Sequence, residues 1–136
     1  MLPLRYPTLW RTLSAVLLGA VLVAAVLPTF WFDSQFEALS WFENADKWLH
    51  GITFAALAVW FAGLFPTSAY WRIAIGLSAF GLIVEGCQLS VGYRMADWID
   101  IGANTAGIIA GLAAAAAGLG GWGLLVEDRC TRRNPH

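Results

Sequence analysis

Four stretches of this chain carry almost no charge, and their lengths limit the fold more than any other feature. No ionisable side chain lies between Arg11 and Asp33, between His50 and Arg72, or between Asp100 and Glu127, and only Glu85 interrupts the run from Arg72 to Arg94. Each interval is near or above the roughly 20 residues that an α-helix needs to cross about 30 Å of hydrocarbon. The composition agrees, with 59% hydrophobic residues, 12% charged residues, eight Trp and eight Phe over 136 residues, far from a soluble domain. The chain therefore reads as an all-α integral membrane protein, a single domain over 1–136 built as a four-transmembrane-helix bundle.

The expected helices run over about residues 12–32, 49–65, 73–91 and 101–126. Pro28 and Pro66 fall at helix ends, where proline does least harm. The first segment could be a signal peptide, since Arg5 and Arg11 precede it and Val23, Ala24 and Ala25 form a weak cleavage pattern. Its apolar run exceeds the usual 7 to 15 or so residues of a signal sequence, and the bulky Phe30, Trp31 and Phe32 follow as an interfacial anchor would, so a retained helix is expected.

With four spans, both termini and the second connection share one side. That side carries Arg5, Arg11, Arg72, Arg129, Arg132 and Arg133, six of the eight Lys and Arg, against Lys47 and Arg94 on the other. The positive-inside rule puts both termini in the cytoplasm. A net charge of −1 and the lack of a basic stripe give no reason to expect nucleic acid as a partner. Cys87 in the third helix and Cys130 in the tail are too far apart to pair, so no disulfide framework is expected.

The same topology collects the unusual polar residues on the extracytoplasmic half. Asp46, Lys47 and His50 enter the second helix, Glu85 and Gln88 lie towards the outer end of the third, and Arg94, Asp97, Asp100 and Asn104 occupy the outer turn and the start of the fourth. The spacings are four for Asp46 and His50, three for Glu85 and Gln88, and three then four along Asp97, Asp100 and Asn104, so each group shares one helix face. If the third helix surfaces near Gly92, Glu85 lies about 10 Å below the interface. A carboxylate within such a segment is costly and marks a functional site by default. An outward-facing, recessed polar pocket is the result.

Each residue also has a plainer use. Asp97 or Asp100 can cap the fourth helix, and Asn44 or Asp46 the second. Lys47 can snorkel to the interface. Glu85 can be a neutral carboxyl bonded to Gln88 or an ion partner of Arg94, and His50 an interfacial histidine. Nine such side chains at one end of three helices exceed what capping requires. His50, Asp46, Glu85 and Asp100 are the candidates for catalysis, with His50 as general base or nucleophile. Lys47, Gln88, Arg94, Asp97 and Asn104 are the candidates for substrate binding, Arg94 as a bidentate clamp on phosphate or carboxylate. Asp46, His50, Glu85 and Asp100 would suit Mg²⁺, Mn²⁺ or Zn²⁺, but the cations Lys47 and Arg94 argue against that, and no metal is expected. The residues name no other cofactor.

In the fourth helix Ala103, Gly107 and Gly111 form a small-xxx-small stripe, continued by Ala113 to Ala117 and Gly118, Gly120, Gly121 and Gly123. Internal packing is the expectation, because the same helix must bring Asp100 and Asn104 to the pocket; a homo-oligomer through this surface is the alternative.

The run DKWLH at 46–50, the EGCQ at 85–88 and GYRMADWIDIGANTAGIIAG at 92–111 resemble the signature of the VanZ-like family of small bacterial membrane proteins. The spacing R-x-x-D-x-x-D-x-x-x-N-x-x-G, from Arg94 to Gly107, makes the resemblance specific. The family's polar positions fall on Asp46, Lys47, His50, Glu85, Gln88, Arg94, Asp97, Asp100 and Asn104, followed by Gly107 and Gly111. Gly51 departs from the pattern, where an aromatic residue is common. The resemblance implies the cytoplasmic membrane of a bacterium and an association with low-level resistance to the glycopeptide teicoplanin.

Together these readings lead to a cell-envelope protein whose pocket takes membrane lipids or a lipid-linked envelope precursor. Two versions stand at this level: an enzyme performing phosphoryl or acyl transfer or hydrolysis, and a binding protein that shields an envelope component. The alternatives are a small proton-coupled exporter using Glu85 and a non-catalytic structural protein. A transporter should have polar groups in the cytoplasmic half too, where only Thr67, Ser68 and Ser78 are found.

Overall fold

The computed structural model describes residues 1–26, 45–90 and 98–133. They form five helices: α1 (Pro7–Val26), α2 (Ala45–Leu64), α3 (Tyr70–Ser90), α4 (Trp98–Ala114) and α5 (Trp122–Arg133). A short 3₁₀ turn, Thr67–Ala69, links α2 to α3 after Pro66. Among the described residues there is no strand. Four helical stretches, Pro7–Val26, Lys47–Leu64, Thr67–Ser90 and Trp98–Leu119, are long and apolar enough to cross a membrane. Val16, Val23, Ile52, Ile75, Ile83 and Ile109 stand exposed on the outside of these helices, an arrangement that hydrocarbon favours and water does not.

The seam between α2 and α4 is built on glycine. A Cβ placed on Gly107 would collide with the Gly51 carbonyl, and one on Gly111 with the Ala55 carbonyl. Hydrogen at these positions lets two backbones meet closely, which is how membrane helices gain dispersion contact without a hydrophobic driving force. The stripe expected to pack internally faces α2 of the same chain. Phe54, Leu57 and Ala58 of α2, Ile73 and Leu77 of α3 and Ile108 of α4 complete the buried core.

The fourth expected helix does not continue to Val126. It ends in a five-residue π-turn, Ala115–Leu119, in which Gly118 has φ 141°, and Gly121 follows at φ 71°. Both values belong to the left-handed region, where a side chain is strained and glycine is not. The chain turns there, and Trp122–Val126 opens a separate helix, α5. At its other end α4 begins at Trp98, and α1 begins at Pro7, earlier than 101 and 12. Proline suits a first helical position, having no N–H to leave unsatisfied. Residue 27 onward, where the first span was expected to finish, lies outside the described residues.

The N-terminal residues and the turn ahead of α5 meet the end of α2. Leu2 N donates to Leu64 O at 2.8 Å and Gly121 N to Ala62 O at 3.1 Å. Trp10, Trp60 and Trp122 pack as a triad with centroids 6.0, 5.5 and 5.2 Å apart. The Trp122 indole lies over Gly63, where a Cβ would overlap it, and donates to Val59 O at 3.1 Å. Glu127 of α5 accepts from Arg5 N at 2.7 Å, Tyr6 N at 3.1 Å and Trp10 Nε1 at 2.8 Å. It thereby satisfies backbone donors just ahead of α1. Cys87 and Cys130 are both free thiols.

Candidate functional site

The opposite end of the bundle holds the polar groups. His50 lies on the second turn of α2, Glu85 on the penultimate turn of α3, and Asp100 on the first turn of α4. Each offers one donor atom, nitrogen or carboxylate oxygen, and these three atoms lie within 4.8 Å of one another. Glu85 and Asp100 are 7% and 6% exposed, whereas His50 is half-buried and keeps one side open. Three residues far apart in sequence are brought together by three helices.

Asn104, one turn after Asp100 on α4, orients the histidine. Its Oδ1 lies 3.1 Å from His50 Nδ1. A carbonyl oxygen can only accept, so this bond places the proton on Nδ1 and leaves the Nε2 lone pair for a proton, a metal or a substrate. Asn104 is 4% exposed, and its Nδ2 has no hydrogen-bond partner among the described residues. The α3 residue opposite is Gly81, where a Cβ would come within 3.2 Å of that nitrogen and 3.3 Å of the Phe54 ring. Sequence reading passed over Gly81. Its only signal is position, one turn before Glu85 on the same face.

Of the nine residues singled out from sequence, His50, Glu85 and Asp100 converge, with Asn104 bonded to His50. Gln88 is buried on α3, and its Nε2 donates to Ala25 O at 2.9 Å, tying the end of α1 to α3. Lys47 lines a groove along the α2–α4 seam with Trp48, Gly51, Ala103 and Gly107. Further along, Ala55, Val59, Ala110, Ala114 and Trp122 line an apolar continuation of the seam. Asp46 belongs to α2, but its side chain is not among those described; Arg94 and Asp97 lie outside the described residues.

Asp100 stands at the third position of α4. A carboxylate there meets the positive end of the helix dipole, which offsets part of the cost of burying its charge. Its nearness to His50 and Glu85 goes beyond what a helix cap needs. Chemically, an oriented imidazole beside two carboxylates can move a proton, hold a cation, or steady a positively charged group.

Neither a curated protein nor a solved structure matches the chain. The profile of the VanZ/LLP1 family matches residues 15–119, which takes in part of α1, all of α2 to α4 and every member of the polar cluster. With most of its length matched and four helices long and apolar enough to span a membrane, the chain belongs to the VanZ/LLP1 family.

Proposed function

We propose that this protein is a cell-envelope membrane protein whose recessed polar site binds and modifies a lipid-linked substrate from the extracytoplasmic side. The observation that carries the reading is the approach of His50, Glu85 and Asp100 donors to within 4.8 Å inside an otherwise apolar bundle. Membrane-buried ionisable groups are expensive, so two carboxylates gathered beside a histidine there point to a use. His50 acts as general base through Nε2, Asn104 holds its tautomer, and Glu85 or Asp100 stabilises the imidazolium as it forms. Lys47, on the seam groove, and Arg94, between α3 and α4, supply the positive charge for a phosphate or carboxylate head group.

Orientation supports the same reading. The site lies at the end of the bundle away from Leu2, Leu64 and Glu127, and six of the eight Lys and Arg fall at or beyond the other ends of the spans. The positive-inside rule then turns the site outward. Half-buried His50 gives the opening, about 7 Å below the start of α2 at Ala45 by a rise of about 1.5 Å per residue.

The association of VanZ-like proteins with teicoplanin resistance gives the readout. Expressed in a glycopeptide-sensitive host, the wild-type chain should raise tolerance, and His50→Asn should abolish the rise at equal membrane abundance and equal thermal stability. Full tolerance in His50→Asn would remove proton transfer from the reading and leave binding alone. Arg94→Lys keeps the charge but loses the planar fork, so tolerance should drop while insertion is normal.

A further inference from the structure

We infer that His50, Glu85 and Asp100 bind a divalent cation of the zinc or manganese class. The inference rests on the reading of this cluster as the working site, but the ion's presence can be tested without any activity. The donor set comes first: one imidazole nitrogen and two carboxylate oxygens, contributed by α2, α3 and α4, all within 4.8 Å of one another. Bonds of about 2.0–2.2 Å from a common ion would set such donors about 3 to 3.5 Å apart, so small side-chain rotations close the set around it. Mixed nitrogen and carboxylate ligation suits Zn²⁺ and Mn²⁺ better than the all-oxygen preference of Mg²⁺ and Ca²⁺.

The support behind the ligands comes second. A metal-bound histidine gives its other ring nitrogen to a fixed acceptor, which sets the tautomer and aims the ligand. Asn104 Oδ1, 3.1 Å from His50 Nδ1, fills that role. Asn104 is itself 4% exposed, so the surrounding packing limits how far the amide can swing away.

Charge comes third. Two carboxylates and a dication form a neutral set, which a low-dielectric bundle accepts where separate charges are costly. Three protein ligands also leave a coordination position open on the half-buried His50 side, as a catalytic ion needs.

The test uses the full chain purified in detergent, stripped with chelator, and titrated with ZnCl₂ or MnCl₂ alone by calorimetry. One ion per chain is expected, together with a rise in melting temperature. Asn104→Ala should weaken binding by roughly 10- to 100-fold. His50→Gln and Asp100→Asn should weaken it further, while Glu127→Gln, at the other end of the bundle, should bind as wild type. No saturable binding by the wild type overturns the inference, as does wild-type affinity in both ligand variants. If those variants do not fold, X-ray absorption of the zinc-loaded wild type decides. Imidazole and oxygen scatterers support the site; a sulfur ligand or a shell of water alone overturns it. Tolerance that survives in ligand variants unable to bind the ion would sink the functional reading and leave the ion site standing, and tolerance lost without any wild-type ion binding would do the reverse.

Discussion

Asn104 joins two helices by presenting one face of its amide to His50 and the other to the Gly81 position. This makes it the residue whose replacement best separates chemistry from scaffold. Asn104→Ala removes the acceptor that faces His50 Nδ1 and should lower activity with folding retained; unchanged activity would count against that role. His50→Asn removes the titrating group altogether and should reduce activity by about 10² to 10⁴-fold with folding retained. Gly81→Ala offers a steric counterpart. Its methyl would sit about as close to Asn104 Nδ2 as 3.2 Å, so the amide must shift, and activity should drop with little change in helix content.

Among the elements, the α2–α4 seam and the α4–α5 break carry the clearest expectations. Gly107→Val forces a side chain into the Gly51 carbonyl and should destabilise the bundle by about 3 kcal/mol or more. Gly102→Ala, on the same helix with nothing within 4 Å of its added methyl, should be neutral or stabilising by about 0.5–1 kcal/mol. Thermal melting of the two variants in detergent decides; equal behaviour would mean that the seam is not as close as described. The seam was legible beforehand, since small residues every fourth position signal close approach whatever the partner. The break was not, because Gly118, Gly120 and Gly121 read equally well as a continuing thin surface. A run of glycine does not say which residue will take positive φ, and that choice depends on Trp122 finding Gly63 on a different helix.

The same reasoning explains what could be read of the site. His50, Glu85 and Asp100 stood out because ionisable groups are rare in apolar segments, and helical spacing was enough to put them at one end. Gly81 did not, because its importance is the absence of a side chain opposite Asn104. Nor did Glu127, an ordinary surface glutamate by sequence, whose three partners belong to residues more than a hundred positions earlier. Gln88 was marked for the pocket on its spacing from Glu85, yet its bond goes to α1, a direction that spacing within one helix does not encode.

For the molecule as a whole, topology and acid response follow from the two ends. A fluorescent reporter that folds only in the cytoplasm, fused after His136, should be bright; a dark fusion at full length in the membrane would reverse the proposed orientation. Partial burial raises the affinity of Glu127 for a proton, but the N–H groups of Arg5, Trp10 and Tyr6 and the charge of Arg5 outweigh it, so its carboxyl titrates below the usual carboxylate range. The sign follows from that direction. Ionised Glu127 is favoured in the folded chain, so its contribution is fully present above the ordinary carboxylate pKa and is lost as pH falls through the lowered one. Melting temperature should therefore decline as pH falls below about 4.5, the ordinary value for glutamate, more for wild type than for Glu127→Gln, in which that part of the response is already absent.

Ribosomes make α1 well before Glu127, so the order of synthesis is the reverse of what α1 needs. When Pro7 to Val26 leaves the exit tunnel, the partners that fix its two ends, Gln88 and Glu127, have not yet been translated. The first span must enter the bilayer on its own hydropathy and wait there, anchored by lipid rather than by its neighbours. Translation of α5 completes the enclosure, when Glu127 closes over the residues ahead of Pro7. A nascent chain stopped short of residue 127 should accordingly leave Arg5 open to protease while α2 to α4 are already protected, a sequence of events that cell-free translation into vesicles can follow in time.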